Sequence, residues 1–177
     1  QPVQSVAKKI NIPANICIFS VTTISIIVFL QRKSMQRRKL MPYNTFILPN
    51  GLRIIHAPSP TNVTYCGFAV DAGTRDEFTN EQGMAHFVEH LIFKGTRKRR
   101  AWHILNRMEN VGGDLNAYTN KEETVIYSAF LKEHFSRAVE LLTDIVFNSI
   151  FPEQEIAKEV EVIIDEIQSY EDSPAEL

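Results

Sequence analysis

The stretch DLNAYTNKEETVIYSAFL, residues 114–131, reads as two strands about a short polar turn. Two runs with β-branched and aromatic residues flank a cluster of Asn, Lys and Glu that has no apolar face to bury. The segments on either side decide what kind of sheet it joins. Upstream, AWHILNRMENVGG (101–113) has the form of a helix ending in glycine, and QGMAHFVEHLIFKGT (82–96) has the same form. In the latter, Met84, Phe87, Val88, Leu91 and Ile92 make the core side and Gly95 a C-terminal stop. Further upstream, VTYCGFAVDAG (63–73) alternates Thr64, Cys66, Phe68 and Val70 with Val63, Tyr65, Gly67 and Ala69, a strand apolar enough to be covered on both faces. FILPNGLRIIHA (46–57) gives two short strands joined at Asn50-Gly51, a dipeptide suited to a tight turn with positive φ.

Downstream, LKEHFSRAVELLTDIVFNS (131–149) places Phe135, Ala138, Val139, Leu142, Ile145 and Val146 at helical spacing. A last helix opens after Pro152 with acidic residues in its first turn, where the helix dipole favours them. This order predicts an α+β fold, with helices packed on one face of a largely antiparallel sheet.

With 177 residues, 44% hydrophobic and 23% charged, the chain is long enough for one domain with a core. A net charge of −2 and a pI near 6.2 give no global attraction to nucleic acid, and none is expected as a partner. Two cysteines, Cys17 and Cys66, do not make a disulfide framework. The sequence starts at Gln1 and stops at Leu177 after an acidic run, and it reads as a piece of something longer.

Residues 1–40 read as a leader and 43–177 as the globular domain. Within the leader, residues 10–30 carry no charge and are long enough as a helix to cross a membrane, although Asn11, Asn15, Ser20, Thr22, Thr23 and Ser25 dilute the segment. Its β-branched bias suits a buried strand equally. The basic run QRKSMQRRK behind it would leave the domain on the cytoplasmic side, anchored or free. Met41, opening MPYNTF, is an alternative start.

The chemistry gathers in HFVEHLIFKGT (86–96). His86 and His90 are i and i+4, with Glu89 between them, so all three side chains leave one helix face. Two imidazoles one turn apart suit Zn²⁺, which then needs a third protein ligand and keeps a position for water. A chance polar stripe is the ordinary alternative, and His56, His103 and His134 are read that way. In the last helix, Glu159 and Glu166 are two turns apart on a face that the sequence assigns to Val162 and Ile163 as well. Spacing alone does not bring Glu166 to the histidines. The run KGTRKRR (94–100) reads as a solvated turn.

HFVEHLIFKGT, preceded by DAGTRDE and followed by GGDLNAYTNKEETVIYSAFL and EVEVIIDEI, resembles the N-terminal domain of the pitrilysin/insulinase family of metallopeptidases, which carry the inverted zinc motif H-x-x-E-H. The resemblance runs from about residue 43 to the end. It implies His86, His90 and Glu166 as zinc ligands, Glu89 as general base, and Glu159 as an additional glutamate that supports the site without binding metal. It further implies that Asn116 and Ala117 hold an extended peptide along a sheet edge, and that a second homologous half, on this or another chain, completes the enzyme. A zinc-dependent endopeptidase acting on extended or unfolded peptides follows, with little turnover expected of this piece alone.

S-ribosylhomocysteine lyase also carries H-x-x-E-H but takes a downstream cysteine as ligand, and no cysteine follows Cys66. A non-catalytic structural or substrate-presenting homologue is the other alternative. Such chains lose zinc or base residues, whereas His86, Glu89, His90 and Glu166 are all present here.

Overall fold

The computed structural model describes residues 24–28, 43–58 and 60–171, with the backbone alone for residues 24–28, 170 and 171. Six strands form one sheet: β1 (Ile24–Val28), β2 (Asn44–Ile47), β3 (Arg53–His56), β4 (Val63–Val70), β5 (Asp114–Thr119) and β6 (Thr124–Leu131). Their spatial order is β2-β3-β1-β4-β6-β5. Every neighbouring pair is antiparallel except β1 with β3. Four helices complete the chain: α1 (Met84–Leu91), α2 (Ala101–Glu109), α3 (Phe135–Asn148) and α4 (Glu153–Glu171). The α+β architecture is as the sequence predicts.

The hairpin of residues 114–131 pairs in the register Asn116 to Tyr127 and Ala117 to Ile126, with its turn at residues 120–123. Asn120 closes that turn, its side-chain Oδ1 accepting the amides of Glu122 and Glu123 at 2.7 and 2.8 Å. The first hairpin turns more loosely than a two-residue turn. Gly51 alone takes positive φ, at 85°, and Leu48 and Leu52 close a loop with Pro49 and Asn50 inside it.

Within residues 1–40, the described part of the 10–30 segment is a strand, not a helix. Ile24–Val28 lies between β3 and β4 and pairs with both, as its three isoleucines and valine favour. No helix among the described residues is long and apolar enough to cross a membrane. The rest of that segment lies outside the described residues.

The core forms where α3 covers β4 and β6, with α2 beside it. Cys66 and Phe68 of β4 and Ile126 and Phe130 of β6 meet Ile104 and Met108 of α2 and Leu141, Leu142 and Ile145 of α3. Each such fully buried side chain contributes on the order of 1.5–3 kcal/mol of transfer free energy. Gly67 on β4 is required by close approach, since a Cβ there would stand 2.8 Å from the Ile126 carbonyl oxygen and the Tyr127 Cβ. The sequence pattern misplaces some of the burial. Phe135 is 43% exposed, while Leu141 and the polar Asp144 are buried in α3. In α1 it is Ala85, Leu91 and the following Ile92 that are buried, with Met84, Phe87 and Val88 half-covered. Helices α1 and α2 lie against β5, and α4 packs on α1. That last contact builds the site.

Candidate metal centre

Helix α1 is only eight residues long, so its shape is imposed by its surroundings. Its N-terminus has Gly83 at φ 85° and no side chain there to cap it. Glu77 supplies the cap from outside the helix, its two carboxylate oxygens accepting the Gly83 and Ala85 amides at 2.9 and 2.8 Å. At the other end the chain turns into the loop 94–100, which is sewn to α3. The Thr96 hydroxyl donates to Asp144 at 2.8 Å, Arg99 pairs with both Asp144 and Glu140, and the Arg97 amide donates to the Asn148 carbonyl. Burial would lower the Arg99 pKa, but hydrogen bonds and charge from Glu140 and Asp144 outweigh it and raise the value.

On this fixed helix His86 and His90 point the same way. Their Nε2 atoms are 3.0 Å apart, and Glu166 Oε2 lies 3.9 Å from the first and 3.5 Å from the second. Two bonds of about 2.0–2.2 Å at a tetrahedral angle hold their donors roughly 3.3–3.5 Å apart, so these separations bracket what one Zn²⁺ needs. Among the described residues this is the one group of three or more His, Cys, Asp or Glu able to hold a metal ion. Glu159, Ile163 and Glu166 share the face of α4 turned to α1, whereas Val162 is 48% exposed and leaves it.

Glu159 is buried, at 5% exposure. Its Oε1 lies 3.0 Å from His90 Nδ1, and its Oε2 lies 2.7 Å from Lys94 Nζ. Burial alone would raise the Glu159 pKa, but hydrogen bonds from Lys94 and His90, with their charges, hold it below the ordinary carboxylate value. An anionic Glu159 accepts a hydrogen bond from His90 Nδ1–H, which leaves the Nε2 lone pair facing His86 and Glu166. Nothing in the sequence reading singles out Lys94. The signal was available, since Lys94 follows His90 by one turn, but the run KGTRKRR looked solvated. The structure corrects that reading: Lys94 and Arg99 turn inward and are paired, and Arg97, Lys98 and Arg100 reach solvent.

Beside the histidines a cavity is lined by Glu89, His90, Phe93, Lys94, Asn116 and Ala117, among others. The Glu89 carboxylate is half-buried and has no hydrogen-bond or ion-pair partner among the described residues. β5 is an edge strand of the sheet, with β2 at the other edge. The Asn120 amide donates to the Glu123 carbonyl, so bonded and non-bonded pairs alternate back along the hairpin. Ala117 opposite Ile126 is a non-bonded pair and directs its N–H and C=O to the free edge. The Asn116 side chain covers that amide, its Oδ1 accepting the Ala117 N–H at 2.9 Å. His56 and His103 are exposed and His134 half-buried, none within the cluster. Cys66 belongs to the core, where burial pushes its thiol up to about 11 against a hydrogen bond from the Gly67 backbone.

The α+β fold carries one candidate site for a metal ion among the described residues, and comparison with known proteins places the chain in a family. The model of the insulinase family, peptidase family M16, matches residues 53–177, and the chain belongs to that family. It is 43% identical over 136 residues to an uncharacterized zinc protease of Rickettsia bellii, covering 76% of this chain and 33% of the relative. It is 44% identical over 124 residues to the mitochondrial-processing peptidase subunit beta of Rattus norvegicus, covering 70% and 25%. A protease from Helicobacter pylori superposes with a TM-score of 0.69 at 27% identity, covering 72% of this chain and 31% of that one. The chain spans about a third or less of the length of the curated relatives it matches.

Proposed function

We propose that this chain is the metal-carrying part of a zinc-dependent endopeptidase that hydrolyses extended or unfolded peptides. The observation that carries the reading is the convergence of His86 Nε2, His90 Nε2 and Glu166 Oε2, which fits a tetrahedral ion in spacing and donor chemistry. Zinc held by these three residues would supply Lewis-acid activation of water and stabilise the oxyanion of the attacked carbonyl. Glu89, unpaired in the adjoining cavity, accepts the proton of the attacking water and returns it to the leaving amine, work worth about 10²–10⁴-fold in rate. Glu159 keeps His90 in the ligating tautomer.

The peptide enters as a strand added to the free edge of β5. Its main chain takes the outward N–H and C=O of Ala117, and the Asn116 carboxamide swings from its own backbone to the peptide. Main-chain pairing of this kind reads extension more than side-chain identity. A second homologous half, on the same or another chain, would close over the site, and the present chain alone turns over little peptide.

The test is metal analysis of the wild type beside Glu166→Gln and His90→Ala. The expected result is about one zinc in the wild type and strong loss in both variants, with Glu89→Gln retaining zinc. Equal zinc in wild type, Glu166→Gln and His90→Ala would sink the reading.

A further inference from the structure

We propose that Lys94 is a positioning residue of the metal centre, holding the Glu159 carboxylate in the orientation that presents one oxygen to His90. The proposal rests on the zinc reading above. Lys94 Nζ is 2.7 Å from Glu159 Oε2, and Glu159 Oε1 is 3.0 Å from His90 Nδ1. The three side chains therefore form a relay whose far end, His90 Nε2, faces His86 and Glu166. The terminal torsion of a glutamate is broad and nearly two-fold, so one partner on one oxygen does not fix the carboxylate plane. Two partners on opposite oxygens do.

The fold prepares Lys94 for this task independently of the site. Its amide donates to the Leu91 carbonyl at 3.0 Å, continuing α1 past its last turn. The two residues after it are anchored, Gly95 by the Ile150 amide on its carbonyl and Thr96 by its buried hydroxyl on Asp144. The Lys94 backbone is thus held on both sides, and its side chain is 28% exposed, running along the cavity wall to a buried carboxylate. Its neighbours in the same basic run, Arg97, Lys98 and Arg100, find no such partner among the described residues.

The experiment strips the protein of metal and measures zinc affinity by competition with a chromophoric chelator for wild type, Lys94→Met and Lys94→Arg. Lys94→Met keeps the stem and removes the charge, and it should weaken zinc binding by about 10–100-fold, the range for partners that orient a ligating histidine. Lys94→Arg restores a donor to Glu159 and should recover most of that loss. In parallel, ¹⁵N spectra of the His90 ring should show Nδ1–H as the single tautomer in the wild type and a mixture in Lys94→Met, a change that general destabilisation does not produce. Wild-type affinity in Lys94→Met overturns the proposal alone, as does equal weakening in Lys94→Met and Lys94→Arg with an unchanged tautomer. A wild-type chain that takes no zinc overturns the metal reading itself.

Discussion

His86 Nε2 and His90 Nε2 face each other at 3.0 Å across one turn of α1. Two imidazoles at that distance share at most one proton between the facing atoms, and a cation replaces that arrangement with two ligand bonds. Zinc should therefore stabilise the folded chain by mass action. At a free zinc concentration about 100 times the dissociation constant, the gain is about 2.7 kcal/mol, and a chelator should reverse it. Thermal melts with zinc, with chelator and with both in sequence test this; identical midpoints would count against a metal at these residues.

Glu77 caps a helix that its own N-cap, Gly83, cannot. Glu77→Ala should cost about 0.5–2 kcal/mol, as other lost caps do. Glu77→Gln keeps one acceptor and should fall between the two. Denaturant melts of the metal-free chain report the loss. Because α1 carries both histidines, zinc affinity should weaken in the same order as stability.

The Glu159 carboxyl is held below its ordinary value of 4.5. A carboxyl whose pKa is lower folded than unfolded contributes stability that is present above the unfolded value and lost as pH falls through the folded one. The metal-free wild type should thus lose stability below about pH 4.5 more steeply than Glu159→Gln, which has no such proton to take up. Urea melts at intervals from pH 6 to pH 3 measure the difference. Parallel curves would show that Glu159 does not carry it.

Ala117→Pro removes the outward amide at the centre of β5 without touching the ladder to β6, since that amide points to the free edge. The variant should fold and bind zinc like the wild type. Binding of an extended peptide, followed by fluorescence anisotropy, should weaken about tenfold, near the worth of one main-chain hydrogen bond. Unchanged peptide affinity would mean that the substrate does not add as a strand at this edge.

Much of the fold was legible because it depends on local pattern. The two hairpins and the helices announce themselves through apolar alternation and helical spacing, although α1 ends at Leu91 with Ile92 as its cap and Gly95, expected as its stop, takes no positive φ. H-x-x-E-H is legible for the same reason, its geometry being complete within one turn of helix. What escaped depends on contacts distant in sequence. Glu166 reaches the histidines only because α4 packs against α1, and Val162, placed on the shared face by apolar character, turns outward instead. Asp144 reads as a misplaced charge in an apolar helix until Thr96 and Arg99, some 45 residues earlier, are brought to it. Residues 24–28 carried a composition that fits either a membrane or a sheet, and their strand depends on an opening between β3 and β4 that no local pattern announces.

The eight residues of α1 are fewer than the dozen or so that an isolated helix needs in water. In the unfolded chain, then, His86 and His90 have no preformed spacing, and their register exists only while Glu77 and the loop 94–100 hold the two ends. Loss of the site and opening of the domain should be one cooperative event. In hydrogen exchange, the α1 amides should be released together with those of β4 and β6, at the free energy of global unfolding, and none should exchange as a separate local fluctuation.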